Sequence, residues 1–261
     1  MLEATAYGKS RVRLVQVTRR TDRHELCDLT IAIRFQGDYD ESYTAGDNRA
    51  VLPTDTMKNT VYALAAGGRV RNPRLQRVRI DLVEHAWGRI ASGDREHGQA
   101  FVRQGPETRT ATIEGDRGQT TVDAGVADLV ILKSSHSAFA GFMRDEYTTL
   151  PETDDRLFAT SLTATWRYRD PDVSFDTAWR AVHRTLLETF AEHRSASVQH
   201  TLHAMGQAVI DHVDEVSAIH LVMPNKHHLP VDLTRFGLEN RNEIFVPTDE
   251  PHGLIEATIV R

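Results

Sequence analysis

Thr54 and Asp55 stand together in Pro53-Thr54-Asp55-Thr56-Met57, directly ahead of an apolar helical pattern that runs to Ala66. At a helix start the first backbone N–H groups have no intrahelical partner and the helix dipole is positive. A hydroxyl, a carboxylate and free amides are then offered together to an anionic ligand. Capping alone also accounts for a Thr-Asp pair wherever a helix begins. Chemistry requires a partner, and Lys9 of Tyr7-Gly8-Lys9 is the candidate. A desolvated lysine amine within reach of a threonine hydroxyl relays protons, which an arginine does not. Without that contact, Lys9 is a solvated charge at a strand entry.

Three further segments carry side chains suited to a flat, polar ligand. The stretch 134–160, SSHSAFAGFMRDEYTTLPETDDRLFAT, is a long polar loop, and loops of that length are often functional. Within it Phe139 can stack on a ring and Arg156 can grip a planar oxyanion with two parallel N–H groups. The plainer readings are a phenylalanine tucked onto the core and a surface ion pair. Ser195-Ala196-Ser197-Val198-Gln199 opens a second helical pattern, so the Val198 amide and the Gln199 side chain fall in its first turn. A primary amide offers donors and an acceptor to the edge of an imide-bearing heterocycle, while capping alone explains the serines. Pro224-Asn225-Lys226-His227-His228 follows a strand-like run that ends at Met223. Asn225 can donate to a small oxygen species and His227 can move protons near neutral pH.

Thirteen histidines invite a metal reading, with His200 and His203 one helical turn apart. No HExxH or Cys/His ligand set appears, so no catalytic metal is expected. No Gly-rich phosphate loop links a parallel strand to a helix either, which disfavours nucleotide-cofactor folds.

The elements that must position these residues alternate between periods of two and 3.6. Residues 11–20 and 26–37 alternate apolar and polar, with Leu29, Ile31, Ile33 and Phe35 on one face, which predicts a hairpin with one buried side. A helix over about 55–66 follows, then strands over 76–90, 99–104, 108–114 and 119–124, the last two hinged at Gly115-Asp116-Arg117-Gly118. Further strands are expected at 126–134 and 156–169. Helices over 176–193 and 197–213 carry the stripes Trp179, Val182, Leu186, Phe190 and Val198, Leu202, Met205, Val209, Val213. Strands over 216–223, 243–246 and 254–260 close the chain. Hairpin, helix, hairpin recurs in both halves, which predicts an α+β protein of antiparallel sheets with helices on one face and domains over 1–124 and 125–261.

A chain of 261 residues, 40% hydrophobic and 26% charged, can bury a substantial core. Its formal charge of -6 and lack of a Lys/Arg block speak against nucleic acid or an anionic membrane as partner. With Cys27 alone no intrachain disulfide forms, which suits a reducing cytoplasm. The amino-terminal stretch lacks a signal-peptide core and ATIVR is not a peroxisomal address, so cytoplasmic residence is expected.

Tyr7-Gly8-Lys9, SYTAGDN followed by PTDTMKNTVYALA, FAGFMRDEYTTLPETDDR, SASVQ and MPNKHHLPVDL, in this order, resemble the urate oxidase (uricase) family over nearly the whole chain. The resemblance implies two tandem tunnelling-fold (T-fold) domains per subunit and a homotetramer whose sheets form a barrel, with active sites between subunits. It also implies urate and dioxygen as substrates, no metal or flavin, and 5-hydroxyisourate with hydrogen peroxide as products. By motif, Lys9, Thr54 and His227 match the catalytic relay, and Asp55 matches a purine contact beside Thr54. Phe139 matches the stacking phenylalanine, Arg156 and Gln199 the clamp on the pyrimidinedione edge, Val198 a backbone contact, and Asn225 the holder of dioxygen and then water.

One departure is expected to bear on assembly. The family places a second helix after the one that starts at Thr54, whereas here Ala66-Gly67-Gly68 to Pro73 leads into the next strand with too few residues for a helix. A shortened first domain leaves open a second reading, a catalytically impaired purine-binding or scaffolding T-fold homologue.

Overall fold

β-branched and aliphatic residues at alternate positions build long ribbons from both halves of the chain. The computed structural model describes residues 2, 4–67, 76–116 and 119–261. In chain order the elements are β1 (Thr5–Arg19), β2 (His24–Gly37), α1 (Asp40–Thr44), α2 (Thr54–Ala65), β3 (Arg77–Ser92), β4 (Arg95–Asp116) and β5 (Thr120–Lys133). They continue with β6 (Phe158–Tyr168), α3 (Phe175–Glu192), α4 (Val198–His212), β7 (Val216–Pro230) and β8 (Phe245–Val260). The chain divides into two compact units, Met1–Ala124 and Gly125–Arg261, with β5 running across the division.

In the first unit β1, β2, β3 and β4 pair antiparallel in that order. The period-two pattern puts Ile31, Ile33 and Phe35 on one face, where they pack with Val12 and with Met57 and Val61 of α2. Met57 is 1% exposed, and burying a side chain of its size contributes about 1.5–3 kcal/mol. The short helix α1, preceded by the buried Tyr39, was not predicted, because five residues are too few to show a period. The expected absence of a second helix falls on residues 66–74, of which 68–74 lie outside the described residues. Ala66 and Gly67 close α2, with Gly67 at φ +86 in the left-handed region that favours glycine.

In the second unit the strand order is β5, β6, β7, β8, with α3 and α4 between β6 and β7 in the chain. Val182, Leu186 and Phe190 of α3 and Leu202, Met205 and Val209 of α4 are buried as predicted, while Trp179 is half-buried, its indole N–H donating to Gly125 O at 2.9 Å. The buried residues meet the inward positions of the sheet, Phe158, Leu162, Trp166, Ile219, Leu221 and Met223, each 1% exposed or less. The observed class is α+β, antiparallel sheets with helices.

The strands are longer and fewer than predicted, because Gly and Pro, which commonly end strands, lie inside them here. Gly105-Pro106 lies within β4, where the register steps from His85–Thr108 to Trp87–Arg103 and residues 104–107 stand opposite one residue of β3. Pro251 lies within β8, where it steps from Asn225–Gly253 to His227–Thr248, and residues 249–252 stand opposite one residue of β7. Proline is tolerated in a ribbon where the ladder is interrupted in this way.

Candidate active site

The second unit places Phe139, Arg156, Asn225 and His227 on one pocket of about 360 Å³, with Leu150, Asn242 and Phe245 among the other lining residues. Asn225 and His227 were expected just past a strand end; instead they lie inside β7, which runs on to Pro230. The misreading came from Pro224. Pairing of β7 with β6 covers Thr160–Asn225 and resumes at Thr163–Val222, so Pro224, without an N–H, occupies the gap. On the other side, the register step toward β8 falls between Asn225 and His227. Such irregularities re-aim side chains and recur beside active sites.

Arg156 lies two residues before β6 rather than opening it. Its guanidinium carbon is 5.3 Å from the centroid of the Phe139 ring, a cation–π distance. Burial pulls its pKa down from the usual arginine value without discharging it. Its Nε is buried without an acceptor, and no ion-pair partner holds the guanidinium among the described residues. An unpaired, half-buried cation is costly unless a ligand supplies the missing charge. Phe139 in turn stacks on Phe142 at 4.9 Å with 14° between the planes.

Backbone pairing lashes this loop to the start of α4. Phe139 and Thr153 exchange both N–H···O bonds at 2.8 and 3.1 Å, and the Arg156 N–H donates to Ser137 O at 2.8 Å. Ser137 and Ser195 form a parallel bridge, in which the Ala138 N–H donates to Ser195 O (2.8 Å) and the Ser195 N–H to His136 O (2.9 Å). Two residues later Ser197 caps α4 through its hydroxyl, which accepts from the His200 N–H at 3.1 Å. Val198 is buried in the first turn and Gln199 is exposed beside it. The pocket walls themselves do not include Val198 or Gln199. Sequence reading missed the Ser137–Ser195 bridge, since nothing local announces a pairing 58 positions apart.

The first unit holds the other three candidates. Thr54 is the first residue of α2 and not its cap; Pro53 occupies the cap position at φ -55 and ψ 137, and its carbonyl accepts the Met57 N–H at 3.2 Å. Thr54 and Asp55 are exposed. Lys58 donates to the Asp55 carboxylate at 2.5 Å and Asn59 at 3.2 Å. Lys58 foremost, with a smaller pull from the charge of Lys9, holds the Asp55 carboxyl below its usual pKa. No hydrogen bond joins the Lys9 amine to the Thr54 hydroxyl among the described residues, although Lys9 is near enough for its field to act on Asp55. Tyr7 ties the two segments: its hydroxyl accepts from the Leu52 N–H at 2.8 Å, and its ring packs edge-on against Phe35 and Tyr39. Gly8 permits the close approach of β1 to β2, because a Cβ there would lie 1.9 Å from Ile33 O. Just after Lys9 the β1–β2 register shifts, with Arg11 at φ 57.

A larger depression of about 500 Å³ lies over α3 and α4, lined by Arg184, Glu188, Glu192 and His212 among others. Its lining is mostly charged and polar helix side chains with two histidines, His193 and His212, and no Phe, Tyr or Trp. Among the described residues no group of three or more His, Cys, Asp or Glu could hold a metal ion, and no helix is long and apolar enough to cross a membrane.

An antiparallel α+β scaffold that sets an unpaired guanidinium over an aromatic ring, beside an asparagine and a histidine, defines a protein with a pocket suited to a planar anion. The Uricase family profile matches residues 5–114 and 122–256. A uricase from Arthrobacter globiformis is 45% identical over 272 aligned residues, covering 100% of this chain and 90% of that protein. One from Danio rerio is 34% identical, covering 98% and 94%. The crystal structure of the A. globiformis uricase superposes with a TM-score of 0.94 at 43% identity, over 100% of this chain and 95% of that one. The chain belongs to the uricase family.

Proposed function

We propose that this protein is an active urate oxidase that converts urate, dioxygen and water to 5-hydroxyisourate and hydrogen peroxide. The observation that carries the reading is the pocket in which the unpaired Arg156 guanidinium lies over Phe139, with Asn225 and His227 on the walls. Arg156 and Gln199 clamp the pyrimidinedione edge, Phe139 stacks on the purine, and the Val198 amide adds a backbone contact. Lys9, Thr54 and His227 move protons, Asp55 contacts the purine, and Asn225 holds dioxygen and then water above the ring.

Urate binds as an anion and gives up two electrons to dioxygen through its own conjugated ring. A hydroperoxide on the purine leaves as hydrogen peroxide, and water adds to the same face to give 5-hydroxyisourate. The protein contributes orientation, electrostatic stabilisation and proton transfer. In this reading each subunit comprises two tandem T-fold domains, the tetramer closes the sheets into a barrel, and Lys9, Thr54 and Asp55 of one subunit meet Phe139, Arg156, Val198, Gln199, Asn225 and His227 of its neighbour.

Purified, metal-stripped protein should consume oxygen in an electrode cell, bleach the ultraviolet absorbance of urate and release peroxide. An intact tetramer by light scattering with no turnover would sink the proposal and favour the scaffolding alternative.

A further inference from the structure

The loop that carries Phe139 and the residue that leads into β6 are joined by one carboxylate. The Ser135 hydroxyl donates to Asp155 Oδ2 at 2.9 Å, and the Ser137 N–H approaches Oδ1 at 3.5 Å. Between these two serines His136 stands at φ 61, a left-handed conformation that is strained for a residue with a Cβ. Asp155 precedes Arg156, and the Arg156 N–H returns to Ser137 O at 2.8 Å. The carboxylate therefore closes a small ring of contacts between the first and last residues of the loop. Its oxygens face Ser135 and the 136–137 backbone, and Arg156 is left to Phe139.

We infer that Asp155 is a positioning residue of the substrate clamp: it pins residues 135–137 to the entry of β6 and so sets Arg156 over Phe139 while leaving the guanidinium unpaired. The Ser135 hydroxyl foremost, with the Ser137 and His136 amides, holds the Asp155 carboxyl below the usual carboxylate range, so it stays ionised at neutral pH. Asp155 itself borders the pocket, but its two carboxylate oxygens are held by the Ser135 hydroxyl and the Ser137 N–H, and it acts through the geometry of Phe139 and Arg156.

Three variants and one structure test this inference, whose kinetic arm rests on the urate oxidation proposed above. Asp155→Ala should raise KM for urate about tenfold with kcat within about twofold, the size expected when a charge-assisted contact is lost from a binding group. Asp155→Asn should stay within about threefold of wild type, because an amide oxygen accepts from Ser137 N–H and an amide N–H donates to the Ser135 hydroxyl. Ser135→Ala, which keeps the carboxylate, should raise KM by about threefold; it carries the test if Asp155→Ala does not fold. An unchanged KM in folded Asp155→Ala, or a failure of Asn to restore what Ala loses, overturns the inference. Should wild type lack urate turnover, the functional proposal falls, and the crystal structure of Asp155→Ala or, failing that, Ser135→Ala decides this one. A guanidinium still seated over Phe139 in the variant refutes a positioning role, and one displaced from the ring supports it.

Discussion

The register step between β3 and β4 and the step between β7 and β8 are built alike and used differently. In each, four residues stand opposite one, and the flanking pair is His85 and Trp87 in the first unit, Asn225 and His227 in the second. In the first unit that pair is fully engaged. The Trp87 indole donates to Asp28 at 3.0 Å, and the Arg103 guanidinium, which can only donate, meets His85 Nδ1 at 3.0 Å. His85 Nε2 is then left as the donor to Thr30 Oγ1 at 2.8 Å. Arg13 completes the set with bonds to Thr30 and to Asp28, whose side chain is 7% exposed. Burial first, then the charges of Arg13 and Arg103, hold the His85 pKa below its usual value, which favours the neutral ring. In the second unit Asn225 and His227 line a pocket; the Thr248 hydroxyl donates to the His227 backbone carbonyl at 3.4 Å, and among the described residues no hydrogen bond occupies the side chain of either. The same backbone device thus presents two side chains in each unit. Whether they form a site depends on whether neighbouring groups have already satisfied them.

The division of labour can be broken most sharply at Thr54 and Arg156. Thr54→Ala should lower kcat about 10²-fold while urate affinity holds, the scale of a lost proton-transfer group; an unchanged rate in steady-state kinetics removes Thr54 from the mechanism. Arg156→Ala should leave kcat nearly intact and raise KM roughly 10- to 100-fold, since bonds from a charged group contribute about 1.5–3 kcal/mol. If kcat falls and KM holds, the guanidinium acts on the transition state and not on binding.

The two register steps separate next. Asp28→Ala should lower unfolding free energy by about 1–3 kcal/mol, because it strands the Trp87 donor and the Arg13 charge, with little effect on kcat. Asn225→Ala should do the reverse, slowing turnover and leaving the denaturant midpoint unmoved. Equal stability losses in both would erase the distinction.

The smallest effect is expected at Lys58. Its bond is the main reason the exposed Asp55 carboxyl titrates low, so the charged form persists at neutral pH and is lost only as pH falls through that depressed value. Lys58→Met should leave neutral-pH activity and the thermal midpoint unchanged. It should move the acid limb of the pH–rate profile to higher pH; a limb that stays put would take Asp55 out of that limb.

Legibility varied with the range of the interaction. The helical stripes of α3 and α4 and the alternation in β2 were readable because burial repeats at 3.6 and 2 residues. Strand ends at Met223 and after Gln104 were misread, since a proline beside a register step looks locally like a proline after a strand. The Thr54-Asp55 pair was read as a helix start, and it is one, but Pro53 takes the cap position, and no hydrogen bond holds the threonine hydroxyl among the described residues.

By itself, the sequence determined the family, the antiparallel α+β class and the identity of the residues able to stack, grip and move protons, because those properties reside in side-chain chemistry, local period and ordered motifs. Only the tertiary structure decided that Arg156 stands unpaired over Phe139, that Asn225 and His227 flank a register step inside β7, and that Asp155 turns toward Ser135. Each depends on segments far apart in the chain meeting by backbone pairing, and residue type alone does not encode which partner an acceptor or a cation will find.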